Sequence, residues 1–412
     1  MLAFHENRPP PGRLTERTVR IRVTRDVTIP DPRKLEQFRR APELGPSVLF
    51  FSGGTALRDT SRELIRYTHN SIHLITPFDS GGSSAVIRKA FAMPAVGDIR
   101  NRLMALADQS VKGNPEIYNL FTHRLPKDGE QDALRGELDA MAAGTHPLVR
   151  RIPDPMRKII RNHFYEFLER MPADFDLRGA SIGNLVLTAG YLSNRRQLDP
   201  VIYLFSKLVQ VCGVVRPTVN KDLHLAVRLK NGQTIVGQHL ITGKEAAPLD
   251  SAIEDIWLTP SLDSEERVRT AIRNKIKEWI GKADLICYPP GSFYTSVVAN
   301  LLADGVGRAV AANTCPKIFV PSTGEDPETP GMSVADRVEV LCRHLRADAG
   351  AGHGEVLGYI LVDAKNGRYA GGIDKKWIEE RGFTVIDGPI VTEQSGPDID
   401  GRALSEFLLS LC

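Results

Sequence analysis

Cysteine is scarce in this 412-residue sequence: five thiols, Cys212, Cys287, Cys315, Cys342 and Cys412, lie scattered without a CxxC pair. That excludes a disulfide framework and a cysteine zinc site, and it fits reduced thiols in a cytoplasmic protein. No apolar run approaches the roughly 18 residues that cross a bilayer. The opening MLAFHENRPPPGR lacks the basic-then-apolar order of a secretory signal. An excess of one charge is missing too. The net charge is +3 with a pI near 8.5, too balanced to argue for nucleic acid. No Ser-His-Asp arrangement and no HExxH stands out, and no glycine loop continues into the Gly-Lys-Ser/Thr of a P-loop. The rest is ordinary for a soluble globular protein, at 42% hydrophobic and 25% charged. The length allows two or three domains, or one large α/β domain with insertions.

What is present begins with residues 48–79, VLFFSGGTALRDTSRELIRYTHNSIHLITPFD. Val48-Leu49-Phe50-Phe51 is an unbroken apolar run, as in a parallel strand covered on both faces. Ser52-Gly53-Gly54-Thr55 breaks it, and Thr55 is placed to cap a helix carrying Leu57, Leu64, Ile65 and Thr68 on one face and ending at Asn70. A second strand over 71–77 leads to Phe78-Asp79. Glycines between strand and helix admit close approach of a ligand, and the helix N–H groups then face an anion. A plain tight turn is the alternative.

Three further glycine–hydroxyl loops have the same character: Ser80-Gly81-Gly82-Ser83-Ser84, Ser181-Ile182-Gly183-Asn184, and Pro289-Pro290-Gly291-Ser292-Phe293-Tyr294-Thr295-Ser296 before a helix over 297–302. Between them Pro94-Ala95-Val96-Gly97-Asp98-Ile99-Arg100-Asn101 opens another helix. Residues 1–44 read as an N-terminal extension, with an alternating strand at Val19, Ile21 and Val23 and arginines on a solvated face. Residues 45–345 form the main α/β domain, with a helical insertion at about 109–178 and a β-hairpin at 222–241. Residues 346–412 continue the same α/β domain. In the insertion, Met156, Ile160, Phe164 and Phe167 make a core stripe after Asp154-Pro155. In the hairpin Asn231-Gly232 signals a type I′ turn. His224 and His239 face each other across it as surface residues. Ser264 is placed to cap a helix running through Val268, Ile272, Ile276 and Ile280 to Gly281.

Alternating strands and helices predict a Rossmann-like, doubly wound, mostly parallel sheet, with the loops after its strands converging on one pocket. Backbone N–H groups, small hydroxyls and Arg100 are the components of a phosphate or diphosphate site. The first loop lacks the third glycine of GxGxxG. Asp79 nevertheless stands where a dinucleotide fold places its ribose carboxylate, which leaves a nicotinamide cofactor as a minor alternative. Asp79 is the candidate catalytic residue and Mg²⁺ ligand, since a carboxylate beside a phosphate site holds a cation or acts as a base. Asp98 is open between helix capping and catalysis.

The ordered motifs SGGTALRDTSREL, DSGGSSAVIRKAF, PAVGDIRNRLMALAD, SIGNLVLTAGYL and CYPPGSFYTSVVANLL, spread over about residues 47–345, resemble the CofD-like / YvcK family. Its members are the 2-phospho-L-lactate transferases of deazaflavin coenzyme synthesis and the gluconeogenesis factors (UPF0052). The resemblance is nearer the YvcK branch, and the extra N-terminus is similar to CofD-related proteins of bacterial GAK gene clusters. It implies a Rossmann-like fold binding a nucleotide diphosphate compound, such as a nucleotide sugar or a guanosine diphosphate-linked donor. Either Mg²⁺-dependent transfer of a phosphorus-containing group or a regulatory, non-catalytic nucleotide-sugar sensor would follow. The implied ligand-binding residues are Gly53, Gly54 and Thr55; Gly81, Gly82, Ser83 and Ser84 beside Asp79; Gly97, Asp98, Arg100 and Asn101; Gly183 and Asn184; and Gly291, Ser292, Tyr294, Thr295 and Ser296. Ala56, Ser80 and Ala85 depart from the family pattern, and Ser80 replaces its second aspartate. The expected partner is a small nucleotide diphosphate-type molecule, with no membrane and no nucleic acid, bound by a homo-oligomer.

Overall fold

The computed structural model describes residues 26–110, 113–243, 247–350 and 352–412. The expected strand at Val19–Val23 lies outside them. The described residues form ten strands: β1 (Val48–Ser52), β2 (Ile72–Ile75), β3 (Val214–Pro217), β4 (His224–Leu229), β5 (Thr234–Val236), β6 (Ile253–Thr259), β7 (Leu285–Tyr288), β8 (Lys317–Phe319), β9 (Tyr359–Val362) and β10 (Thr384–Asp387). Seven of them make one parallel sheet in the order β10-β9-β8-β7-β1-β2-β3. The fold is a Rossmann-like α/β sheet flanked by helices, as the sequence pattern predicts.

Period-2 alternation in β1 explains the two faces of this sheet. Leu49 and Phe51 join one core with Leu74, Tyr288 and the helix Val334–Ala349. Val48 and Phe50 enter the opposite core with Leu285, Cys287 and the C-terminal helix Gly401–Leu411. All four are fully buried, so the strand reads as a continuous apolar run. The helix Pro32–Arg40 also reaches this second core through Leu35, with Asp31 bonded to Ser410 Oγ and Lys34 to the Ser410 carbonyl. Part of the expected N-terminal extension is therefore packed on the domain.

The insertion folds as helices Pro115–Thr122, Gln131–Ala143 and Met156–Arg170. With Ile182–Ser193 and Leu198–Leu208 they close a third core containing Phe121, Phe164, Phe167 and Phe205. A separate antiparallel sheet, β5-β4-β6, packs Leu225, Val227, Ile256 and Leu258 into the first core.

Four local expectations are corrected. The first helix spans only Arg58–Leu64, and Thr55 offers its backbone carbonyl, not its side chain, to Arg58 N–H. In the turn between β4 and β5 only Gly232 takes a positive φ, +89°, whereas a type I′ turn needs two such residues. The loop is the longer kind with one left-handed glycine. The helix expected from Ser264 starts at Asn274. Residues 264–273 stay extended because Trp257 donates Nε1–H to the Glu265 carbonyl and stacks under Arg267, and Val268 bridges to Leu258. After Gly291 the chain makes a π turn, Phe293–Val297, followed by a 3₁₀ turn, Val298–Leu301, where a regular helix was expected. Among the described residues no helix is long and apolar enough to cross a membrane.

Candidate functional site

From β1 the chain winds outward through β2 to β3. It returns to β7 on the other side of β1 and winds the opposite way to β10. The β1/β7 boundary is thus the topological switch point, where loops diverge and leave a crevice beyond the strand ends. A cleft of about 890 Å³ opens there. It is lined by Gly53, Gly54, Thr55, Asp79, Gly81, Gly82, Ser83, Ser84, Gly97, Asp98, Arg100, Asn101, Asn184, Gly291, Ser292 and Ser296. These sequence-predicted residues come together. Gly183, Tyr294 and Thr295 do not line the cleft.

Each of the three has another task. A Cβ on Gly183 would lie 2.7 Å from the Phe121 carbonyl oxygen and 3.0 Å from Arg100 Cγ, so this glycine makes room behind Arg100. Tyr294 and Thr295 are buried and donate their backbone N–H groups to Glu328 Oε2 at 2.8 and 2.9 Å.

Helices Gly82–Phe91 and Gly97–Ala105 start at the cleft and present their first N–H groups and positive dipole ends to it, whereas Ile182–Ser193 ties its Ile182 N–H to the His123 carbonyl and reaches the cleft through Asn184. Arg100 Nε donates to Asn184 Oδ1 at 3.3 Å, and Asn184 Nδ2 reaches Ser83 Oγ at 3.4 Å, which ties three loops together. Burial, with Arg124 nearby, lowers the Arg100 pKa to about 10, so it stays a cation at neutral pH. Asp79 Oδ1 accepts Gly81 N–H at 3.1 Å, and its Oδ2 faces Gly97. Asp98 lies against the first loop, where a Cβ on Gly54 would fall 2.0 Å from its Oδ1. Gly53 is held the same way by Ser296, whose Oγ would stand 2.4 Å from an added Cβ. The first loop is glycine at these two positions because Asp98 and Ser296 leave no room for a side chain.

Sequence reading missed a second set. Arg102 is fully buried under the first loop. It bonds to the carbonyls of Leu57 (2.7 Å), Gly53 (3.0 Å) and Gly54 (3.3 Å), and to the Ser61 hydroxyl. The loop's carbonyls are thus turned onto Arg102. Burial lowers its pKa to about 10, which still leaves it charged. Arg124, Lys127 and Arg178 line the cleft from the insertion, where no motif marked them. Gln238, His239 and Thr242 line it from the short helix after β5. His239 lies beyond β5, which ends at Val236, and its Nδ1 is 2.8 Å from Ser80 Oγ. His224 is buried with its Nε2 3.0 Å from Arg88 Nη2. Arg88 also holds the Asp79 carbonyl (3.1 Å) and Asp222 (2.6 Å), joining the small sheet to the second loop.

The fold and cleft define the class: a Rossmann-like α/β protein with a cleft at its switch point. Residues 48–391 match the family model of the 2-phospho-L-lactate transferase CofD, and the chain belongs to that family. It is 27% identical over 303 residues to the gluconeogenesis factor of Bacillus subtilis, covering 73% of this chain and 75% of that one. A relative from Clostridium acetobutylicum, provisionally given the same name, is 28% identical over 356 residues. Those residues are 85% of this chain but 63% of the relative. A crystal structure of a UPF0052 family protein from Bacillus halodurans superposes with a TM-score of 0.65 at 25% identity, covering 89% of this chain and 99% of that one.

Proposed function

We propose that the cleft binds a nucleotide diphosphate compound, a nucleotide sugar or a guanosine diphosphate-linked donor, and that the bound diphosphate lies on the glycine loops. The observation that carries this reading is the convergence of two helix N-termini, at Gly82 and Gly97, on one crevice that also holds Arg100. Amide donors with a partly shielded guanidinium suit a phosphate group. The family name supports a transferase of a phosphorus-containing group. In such a reaction Asp79 is the residue to hold Mg²⁺. It has an oxygen beyond the one bonded to Gly81, and Mg²⁺ is commonly held by one or two carboxylates plus substrate phosphates. Bound there, the ion would neutralise phosphate charge.

A second reading, a regulatory nucleotide-sugar sensor, is favoured by one observation. Ser80, next to Asp79, is a hydroxyl engaged with His239 rather than a second carboxylate. Among the described residues no group of three or more His, Cys, Asp or Glu is disposed to hold a metal by itself. The two readings separate in one panel of guanosine and uridine diphosphates and their sugar conjugates, measured for thermal shift with and without Mg²⁺ and assayed for turnover with a deazaflavin acceptor. A raised melting temperature with Mg²⁺-dependent turnover supports the transferase. A raised melting temperature without turnover supports the sensor. No shift with any of them rejects both.

A further inference from the structure

We infer that His239 is a ligand-contacting residue of the cleft, fixed by Ser80 in the tautomer that offers Nε2–H to a phosphoryl oxygen. Ser80 is 4% exposed, and among the described residues its hydroxyl bonds only to His239. The Ser80 Oγ accepts the backbone N–H of His239 at 3.2 Å and lies 2.8 Å from the ring's Nδ1. A hydroxyl has one hydrogen to give, and Nδ1 is the acceptor within reach. If Nδ1 carried a proton, the buried Ser80 O–H would be left without an acceptor, an unfavourable arrangement. Nδ1 therefore accepts, and the neutral ring carries its proton on Nε2.

The backbone is shaped for this ring position. Gly237, just before the short helix, has φ +110°, and a Cβ there would stand 2.9 Å from His239 Cε1 and 3.1 Å from Nδ1. Only a glycine lets the ring fold back over its own chain and meet Ser80. The ring's hydrogen bond to Ser80 is made by Nδ1, which leaves Nε2 on the far side of the ring, and His239 lines the cleft between Gln238 and Thr242. Ser80 sits between Asp79 and Gly81, so the same loop that presents its amides to the cleft also sets the histidine proton. Ser80 is the positioning residue, and His239 makes the contact. The inference rests on the nucleotide diphosphate reading of the cleft.

The test uses the full chain with nitrogen-labelled histidine, His239 being assigned by its absence in His239→Gln. Long-range proton–nitrogen spectra should show the Nε2–H tautomer for His239 in the wild type and a mixture of tautomers in Ser80→Ala. Calorimetric titration with guanosine diphosphate and uridine diphosphate should weaken about ten- to a hundredfold in His239→Ala, the scale of one hydrogen bond to a charged group. His239→Gln, whose amide N–H stands near the Nε2 position, should keep most of the affinity. An Nδ1–H tautomer in the wild type overturns the inference whatever the protein binds. Equal affinity in wild type and His239→Ala overturns it while leaving the functional reading in place. A wild type that binds neither diphosphate overturns the functional reading, and the ligand contact inferred here with it.

Discussion

At the scale of single residues, Asp98 and Ser296 show what a glycine signal means. Gly53 and Gly54 stood out as places where a ligand approaches the backbone, yet their missing side chains are already required by these two neighbours. Gly183 carries the same signal but does not line the cleft, its missing side chain making room for Arg100 and the Phe121 carbonyl. A glycine in a strand–helix loop reports a close approach, and sequence does not say whether the approaching atom is protein or ligand. Asp79 is different, because its Oδ1 bond to Gly81 is local and the other oxygen faces the cleft side of Gly97. Asp79→Asn preserves the shape and the Gly81 contact while removing the charge. Its stability should change by less than about 1 kcal/mol in urea unfolding, as for most substitutions outside the core. Affinity for a nucleotide diphosphate with Mg²⁺ should fall about ten- to a hundredfold by titration calorimetry, the worth of about 1.5–3 kcal/mol for a charged contact. Unchanged affinity would reduce Asp79 to a turn-forming residue.

At the scale of elements, the π turn Phe293–Val297 is the piece whose support was invisible in the sequence. Asp326 Oδ2 accepts Phe293 N–H, and Glu328 accepts the next two amides and meets the Thr295 hydroxyl. Two carboxylates from the loop after β8 thus hold the start of the turn that carries Ser296 into the cleft. Burial, with Asp326 beside it, raises the Glu328 carboxyl from 4.5 to about 8. A pKa raised on folding stabilises the protein fully below the unfolded value, and that contribution is lost as pH climbs toward the folded one. The Glu328 contribution to stability should therefore decline between about pH 4.5 and pH 8. Glu328→Gln keeps an acceptor for both amides and does not ionise. Melting temperatures taken across this range should slope less in Glu328→Gln than in the wild type. Parallel slopes would show that Glu328 does not titrate there.

Elements were legible where local pattern and tertiary demand agree. The apolar runs of β1 and β7 and the stripe of Met156–Arg170 are buried as their spacing requires. The pattern misled between 264 and 273, where helical spacing of Val268 and Ile272 lost to bridges with Leu258 and Asp304. Helix propensity is a weak prior against such contacts. The cations of the insertion were unreadable for another reason: Arg124, Lys127 and Arg178 sit among many exposed basic residues, and only the packing of the insertion places them at the cleft.

At the scale of the whole molecule, the switch between β1 and β7 decides where a ligand can sit. The loops of the parallel sheet, the short helix after β5 and the helical insertion surround one crevice, and loops separated by more than two hundred residues meet in it. A second groove, lined by Ile29, Phe38, Tyr359, Ile386 and Leu411, is more apolar and lacks glycine-loop amides. A crystal structure with guanosine diphosphate or a uridine diphosphate sugar tests the account most directly. The diphosphate is expected within hydrogen-bond reach of the amides of Gly53–Thr55 or Gly82–Ser84, with Arg100 beside it. A diphosphate bound in the second groove, or anywhere away from these loops, would contradict it.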